Sequence, residues 1–215
     1  MENLSAIRRN ARQALSGNWG IAALVFFLYA LISSVWNQAV NAVLLLCGCS
    51  LDWASALASL SLLLLLPLAY SVSVFYLRVH RGEESELSVM FIGYKDFPHV
   101  FGTEFLKGLY TILWMLLLVV PGIVKSYSYA MTDFVMYDNP ELSEDQTIVR
   151  SMELMQGHKM QLFLLDLSFI GWFLLCVITF GIAYFWVAPY VQVSHAEFYK
   201  ELLNGEAAEK TTVNG

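Results

Sequence analysis

Charge is scarce in this chain: only 14% of its 215 residues are Asp, Glu, Lys or Arg, where a soluble domain carries roughly a quarter. The polar segments are too short to fold as a soluble catalytic domain. That leaves one integral membrane domain, residues 1–203, followed by a polar C-terminal tail, residues 204–215, expected to be disordered. Cysteine is scarce too. Cys47 and Cys49 flank one glycine and lack the spaced partners of a zinc site, and Cys176 sits in an apolar run as a small core residue. His80, His99, His158 and His195 form no pair at metal-ligand spacing. Gly-rich phosphate loops, serine elbows and helical zinc motifs are missing. No metal or cofactor is expected, and the chain reads as non-enzymatic. There is no basic patch with interleaved aromatics, which excludes nucleic acid as a partner.

Apolar sequence is abundant, at 58% of the chain. A bilayer core needs about 20 apolar residues per helix, and short cytoplasmic loops carry excess Lys and Arg. Every Lys and Arg except Lys125 falls where an N-in, hairpin-by-hairpin threading puts cytoplasm. The expected fold is all-α: a polytopic transmembrane bundle of about six apolar helices, paired as three hairpins with both termini cytoplasmic. The net charge of −6 comes largely from loop acids such as Glu83, Glu141 and Asp145, which count little toward orientation. The first apolar run lacks a short h-region with a cleavage site, so it reads as a retained helix.

The first hairpin takes Trp19–Trp36 and Ala54–Leu77. Trp19 and Trp36 stand about 25 Å apart along a helix, as interfacial anchors do, with Trp53 expected beside Trp36. Pro67 should kink the second helix and free a carbonyl. The second hairpin is Gly108–Val120, extended through Phe101–Lys107 with Lys107 snorkelling, then Ile123–Tyr137. These runs are short enough to be either spanning or re-entrant. Pro121 and Gly122 are the candidate helix-break turn, because proline cannot continue the preceding hydrogen bonding and glycine permits positive φ. The third hairpin is Met160–Phe180, a turn at Gly181, and Ile182 to Tyr199 with a kink at Pro189.

A short amphipathic helix precedes each hairpin. The first sets Ile7, Ala11, Ala14 and Leu15 against Arg8, Arg9 and Arg12; the second carries Leu87, Met90, Phe91 and Tyr94. The third sets Ile148, Met152 and Met155 against Arg150 and Glu153, behind a capping box of Ser143 and Gln146. Such helices either lie in the headgroup plane or pack under the bundle as connectors.

Ionisable residues inside apolar runs point to function, since a charge at mid-bilayer costs roughly 2.5–3.5 kcal/mol on insertion scales. Asp133, Asp166 and His195 fall at similar shallow depth on the cytoplasmic side of three different helices, with Glu104 nearer the surface. Together they make a candidate polar cup able to hold a cation, a proton or a lipid amine. The competing reading has each acid cap a helix end or pair with Arg78, His80 or Lys159 at the interface. Lys125 reads as an anchor near the far interface, and Trp114 and Trp172 as packing residues.

The stretch Leu113-Trp114 through Pro121-Gly122-Ile123-Val124-Lys125-Ser126-Tyr127 resembles the signature of a bacterial integral-membrane family, the domain of unknown function 975. So do Asp138-Asn139-Pro140, Ser151-Met152, and Met155, Gly157 and Lys159. Leu167 to Trp172, Pro189-Tyr190, Phe198-Tyr199, and Ala11-Arg12 with Gly17 and Trp19 extend the likeness over about residues 1–203. The resemblance implies a multi-pass protein of the bacterial cytoplasmic membrane and carries no activity. More loosely, the chain is similar to membrane domains attached to some glycerophosphodiester phosphodiesterases, which implies lipid surroundings. The chain therefore reads as a membrane interaction, envelope-associated or lipid-binding module, with membrane lipids and a protein partner or second copy as its partners. The alternative is a small-solute or ion transporter or channel using the acidic cup.

Overall fold

The computed structural model describes residues 4–83 and 86–213, and every regular element among them is helical. Four stretches among the described residues are long and apolar enough to cross a membrane: Trp19–Leu46, Leu51–Arg81, Phe97–Leu117 and Lys159–Ile178. The expectation of about six such helices therefore divides. Four stand out by length and composition, and the two return limbs of the later hairpins are interrupted or charged.

The first hairpin pairs α2 (Trp19–Leu46) with α3 (Leu51–Ser61) and α4 (Leu66–Arg81), which are joined by a 3₁₀ stretch, Leu62–Leu65. Pro67 explains that stretch. It has no N–H to give the Leu63 carbonyl, which accepts from Leu66 N–H instead and tightens the preceding turn. Helix α2 runs past Trp36, because Asn37, Gln38 and Asn41 are tolerated in a helix interior. Trp36 Nε1 donates to Ser61 Oγ at 3.0 Å. Ser61, not Trp53, therefore stands opposite Trp36, and Trp53 lies about 12 Å nearer the tip.

The second hairpin is α5 (Phe97–Leu117) followed by α6 (Val119–Ser128) and α7 (Thr132–Asp138). The chain reverses at Leu118, which is extended at φ −158° and ψ 135°. This corrects the expected break: Pro121 and Gly122 lie inside the first turn of α6. Proline is tolerated there because first-turn N–H groups have few intrahelical acceptors. Gly122 instead serves close approach. A Cβ added to it would lie 2.5 Å from Met115 Cγ and 2.7 Å from Met115 Cα.

The third hairpin is α9 (Lys159–Leu167), α10 (Ile170–Ile178) and α11 (Tyr184–Val213), turning through Phe180 (φ 51°) and Gly181 (φ 87°). Helix α11 is continuous through Pro189. It also continues to Val213, so residues 204–213 are helix and not a disordered tail; residues 214–215 lie outside the described residues. Arg150 Nη2 holds this extension through Glu206 Oε2 at 2.6 Å.

The leading segments pack under the bundle. In α1 (Leu4–Ala14), Ile7 and Ala11 are buried, as is Leu15 just beyond it, and Arg9 and Arg12 face outward. Helix α8 (Glu144–Leu154) starts at a capping box, with Ser143 N–H donating to Gln146 Oε1 at 3.0 Å, and buries Ile148, Ser151 and Leu154. The middle segment, Leu87–Tyr94, is a 3₁₀ helix, which corrects the amphipathic α-helix expected there. It buries Val89, Met90 and Gly93 and leaves Leu87, Phe91 and Tyr94 exposed; three residues per turn put 90 and 93 on one edge and 91 and 94 on another.

Burial is concentrated at the end of the molecule where these leading segments sit. The core takes Ala22 and Val25 from the start of α2, Val72–Val79 from α4, Met131–Met136 around α7, and Val193–Leu202 from α11. Tyr76 Oη donates to the Ala22 carbonyl at 3.0 Å and Tyr190 Oη to that of Arg8 at 3.1 Å, which locks α4 and α11 to the N-terminal segments. Toward the tips the apolar side chains are outward: Leu46, Leu116, Val120 and Val177 are all more than two-thirds exposed.

Replacing Gly122 by Val should lower the melting temperature in detergent far more than Gly108→Val. The overpacking cost is about 1–3 kcal/mol, whereas a Cβ at Gly108 meets nothing within 4 Å. Equal melting shifts would contradict the close α5–α6 approach.

Candidate functional site

A crevice of about 550 Å³ opens where all three hairpins meet. Its lining comes from Leu66 and Ser73 of α4, Glu104, Lys107, Thr111 and Ile112 of α5, Asp133 of α7, and Gln192 and His195 of α11, among others. Lys107 stands at its centre. Its Nζ lies 2.7 Å from Glu104 Oε1 and 2.5 Å from Asp133 Oδ1, so one ammonium joins α5 to α7. The Glu104 to Lys107 spacing puts both on one helical face, one turn apart. Asp133 reaches them because Leu118 folds the second hairpin back on itself.

Behind this clamp, His195 Nε2 lies 2.7 Å from Asp166 Oδ1, and Tyr127 Oη donates to Asp166 Oδ2 at 3.1 Å. An ionised Asp166 only accepts, so the neutral ring in this contact carries its proton on Nε2. Three of the four sequence candidates, Glu104, Asp133 and His195, thus line one space. Asp166 does not line it; it braces His195 from behind. The partners differ from those expected. Asp133 pairs with Lys107 and Asp166 with His195, not with Arg78, His80 or Lys159. Arg78 sits by Glu83 at 3.0 Å, and His80 by Glu197 at 2.8 Å.

Lys107 is the residue that sequence reading missed. A lysine ten residues from a proline-led helix start looks like a snorkelling side chain, yet it turns inward to two carboxylates, which are stronger partners than water alone. The legible signal was the Glu-x-x-Lys pair inside an apolar run. Glu197 was missed as well. It is buried, accepts from Asn10 Nδ2 at 2.8 Å and faces His80, so it ties α1 and α4 to α11 below the crevice. Pro121 and Gly122 contribute no crevice contact. Lys125 lies 5.0 Å over the Trp114 ring, and Trp172 packs edge-on to Tyr190. Among the described residues no group of His, Cys, Asp and Glu is placed to hold a metal.

The floor of the crevice is charged and its walls, Leu66, Ile112 and Phe134, are apolar. The hydroxyls of Ser73, Thr111 and Ser126 each donate to a carbonyl of their own helix, at 3.4, 2.8 and 2.7 Å. Their protons are used, so the crevice is rich in acceptors.

Lys107→Met leaves two carboxylates facing each other with little water. It should destabilise the protein by roughly 3–5 kcal/mol, the cost of breaking a buried ion pair. Adding Glu104→Gln and Asp133→Asn to Lys107→Met should restore much of the loss in a detergent melt. A triple variant no more stable than Lys107→Met would contradict the clamp.

Residues 115–206 match the family model described as protein of unknown function, DUF975. The match takes in Tyr127, Asp133, Asp166 and His195 and stops short of Glu104 and Lys107. No curated protein and no solved structure matches the chain.

Proposed function

We propose that this chain is a multi-pass protein of the bacterial cytoplasmic membrane, with both termini cytoplasmic, acting as a non-enzymatic lipid-binding module. On this reading the three hairpins cross the bilayer, the leading segments lie at its cytoplasmic face, and the crevice sits just inside that face. The observation that carries the proposal is the crevice itself: a charged floor beneath apolar walls, at the junction of helices whose outer halves expose apolar side chains. That profile matches an amphipathic molecule with a polar head and acyl tails, and ligand pockets of about 300–1,000 Å³ are the usual size. The ionisable groups are engaged with neighbours of opposite charge or with His195, an arrangement suited to holding a ligand.

Transport fits less well. The polar groups stop at one depth, and Lys125, the basic residue on the tip side, is covered by Trp114.

Purified in mild detergent, the protein should retain a phospholipid visible as a mass adduct in native mass spectrometry. A chain that carries no lipid after gentle extraction would sink the lipid-binding reading. Reporter fusions after Gly215 and within residues 47–50 should report opposite compartments. Equal signals would sink the topology.

A further inference from the structure

We infer that the crevice selects the protonated primary amine of an aminophospholipid headgroup, an inference that rests on the lipid-binding reading above. Charge balance is the first argument. Glu104 and Asp133 set two acid groups against one permanent cation, Lys107, with Asp166 behind them on His195, so acid groups outnumber the fixed cation in surroundings that screen charge poorly. A ligand cation offsets that imbalance; a ligand anion adds to it.

Hydrogen-bond inventory is the second argument, and it is independent of charge. Ser73, Thr111 and Ser126 spend their hydroxyl protons on helix carbonyls and offer lone pairs to the crevice. Carboxylates and such hydroxyls need a donor-rich guest. An –NH₃⁺ group has three donors, and Lys107 already shows how two of these carboxylates grip one. A quaternary ammonium has none and leaves buried acceptors unpaired, the case that polar sites reject most strongly.

The third argument fixes the source. Ile112, 58% exposed, stands in the crevice wall beside Leu113 and Leu116, which are also exposed on α5. An acyl chain can follow this apolar strip away from the charged floor, whereas a free amine makes no use of it.

The test is competitive native mass spectrometry on the full chain in nanodiscs holding equal phosphatidylethanolamine, its N-methyl and N,N-dimethyl derivatives, phosphatidylcholine and phosphatidylglycerol. Retention should fall with each methyl group, reaching about tenfold less for phosphatidylcholine than for phosphatidylethanolamine. Glu104→Gln and Asp133→Asn should each flatten this series. Ile112→Trp, at an exposed position, should reduce retention of every lipid. If the acid variants do not fold, the methylation series on the unaltered chain decides the matter alone. Bound lipid without amine preference, or with preference for phosphatidylglycerol, overturns the inference and leaves the lipid-binding reading intact. Displacement of the lipid by equimolar free ethanolamine overturns the lipid source. Absence of any bound lipid overturns both.

Discussion

The molecule is held together where apolar and polar burial coincide, at the end that carries α1 and α8. There Ile7, Ala11 and Leu15 are sealed against α4, α9 and α11, and Glu197 joins Asn10 and His80 across the same junction. Fully burying a Leu or Ile from water is worth roughly 1.5–3 kcal/mol, but in hydrocarbon that gain vanishes, because lipid tails are as apolar as leucine. On the proposed membrane reading, burial therefore works at the end water can reach. The tips, with exposed Leu46, Leu116 and Val177, have no comparable reason to pack tightly.

The crevice lies where the three hairpins meet, lined from α4, α5, α7 and α11. A charge among apolar helices needs a partner from another helix. Lys107 meets the need by bridging α5 and α7, and Asp166 does so by bracing His195 between α9 and α11. The polar groups thus act as struts between hairpins as well as lining. That is why the direction of the stability change in the Lys107 series matters for function.

Helix counting from the apolar boundaries gave Asp133, Asp166 and His195 a similar depth; in the structure Asp133 and His195 line the crevice, while Asp166 stands behind it on His195. Their pairing was not legible. Which carboxylate meets which cation depends on helix rotation and on the exact residue at which the second hairpin folds back. Leu118, an unremarkable leucine in a run of leucines, makes that turn, although Pro121 and Gly122 carry the stronger local signal. Proline is compatible with the first helical turn, and the glycine was needed for contact with Met115.

The sequence by itself determined the all-helical class, the three-hairpin order, the capping box at Ser143 and the turn at Gly181. Each rests on local chemistry: apolar run length, side-chain to backbone hydrogen bonding, and permitted φ. Only the tertiary structure decided that Lys107 turns inward, that α1 and α8 pack beneath the bundle, and that Leu87–Tyr94 buries Met90 with Val89 and Gly93 while exposing Leu87, Phe91 and Tyr94. It also decided that the C-terminal residues through Val213 continue α11. Those outcomes turn on competition between partners far apart in the chain. An ammonium finds two carboxylates, and an apolar helix face finds its protein partner, only once the fold has brought them within reach.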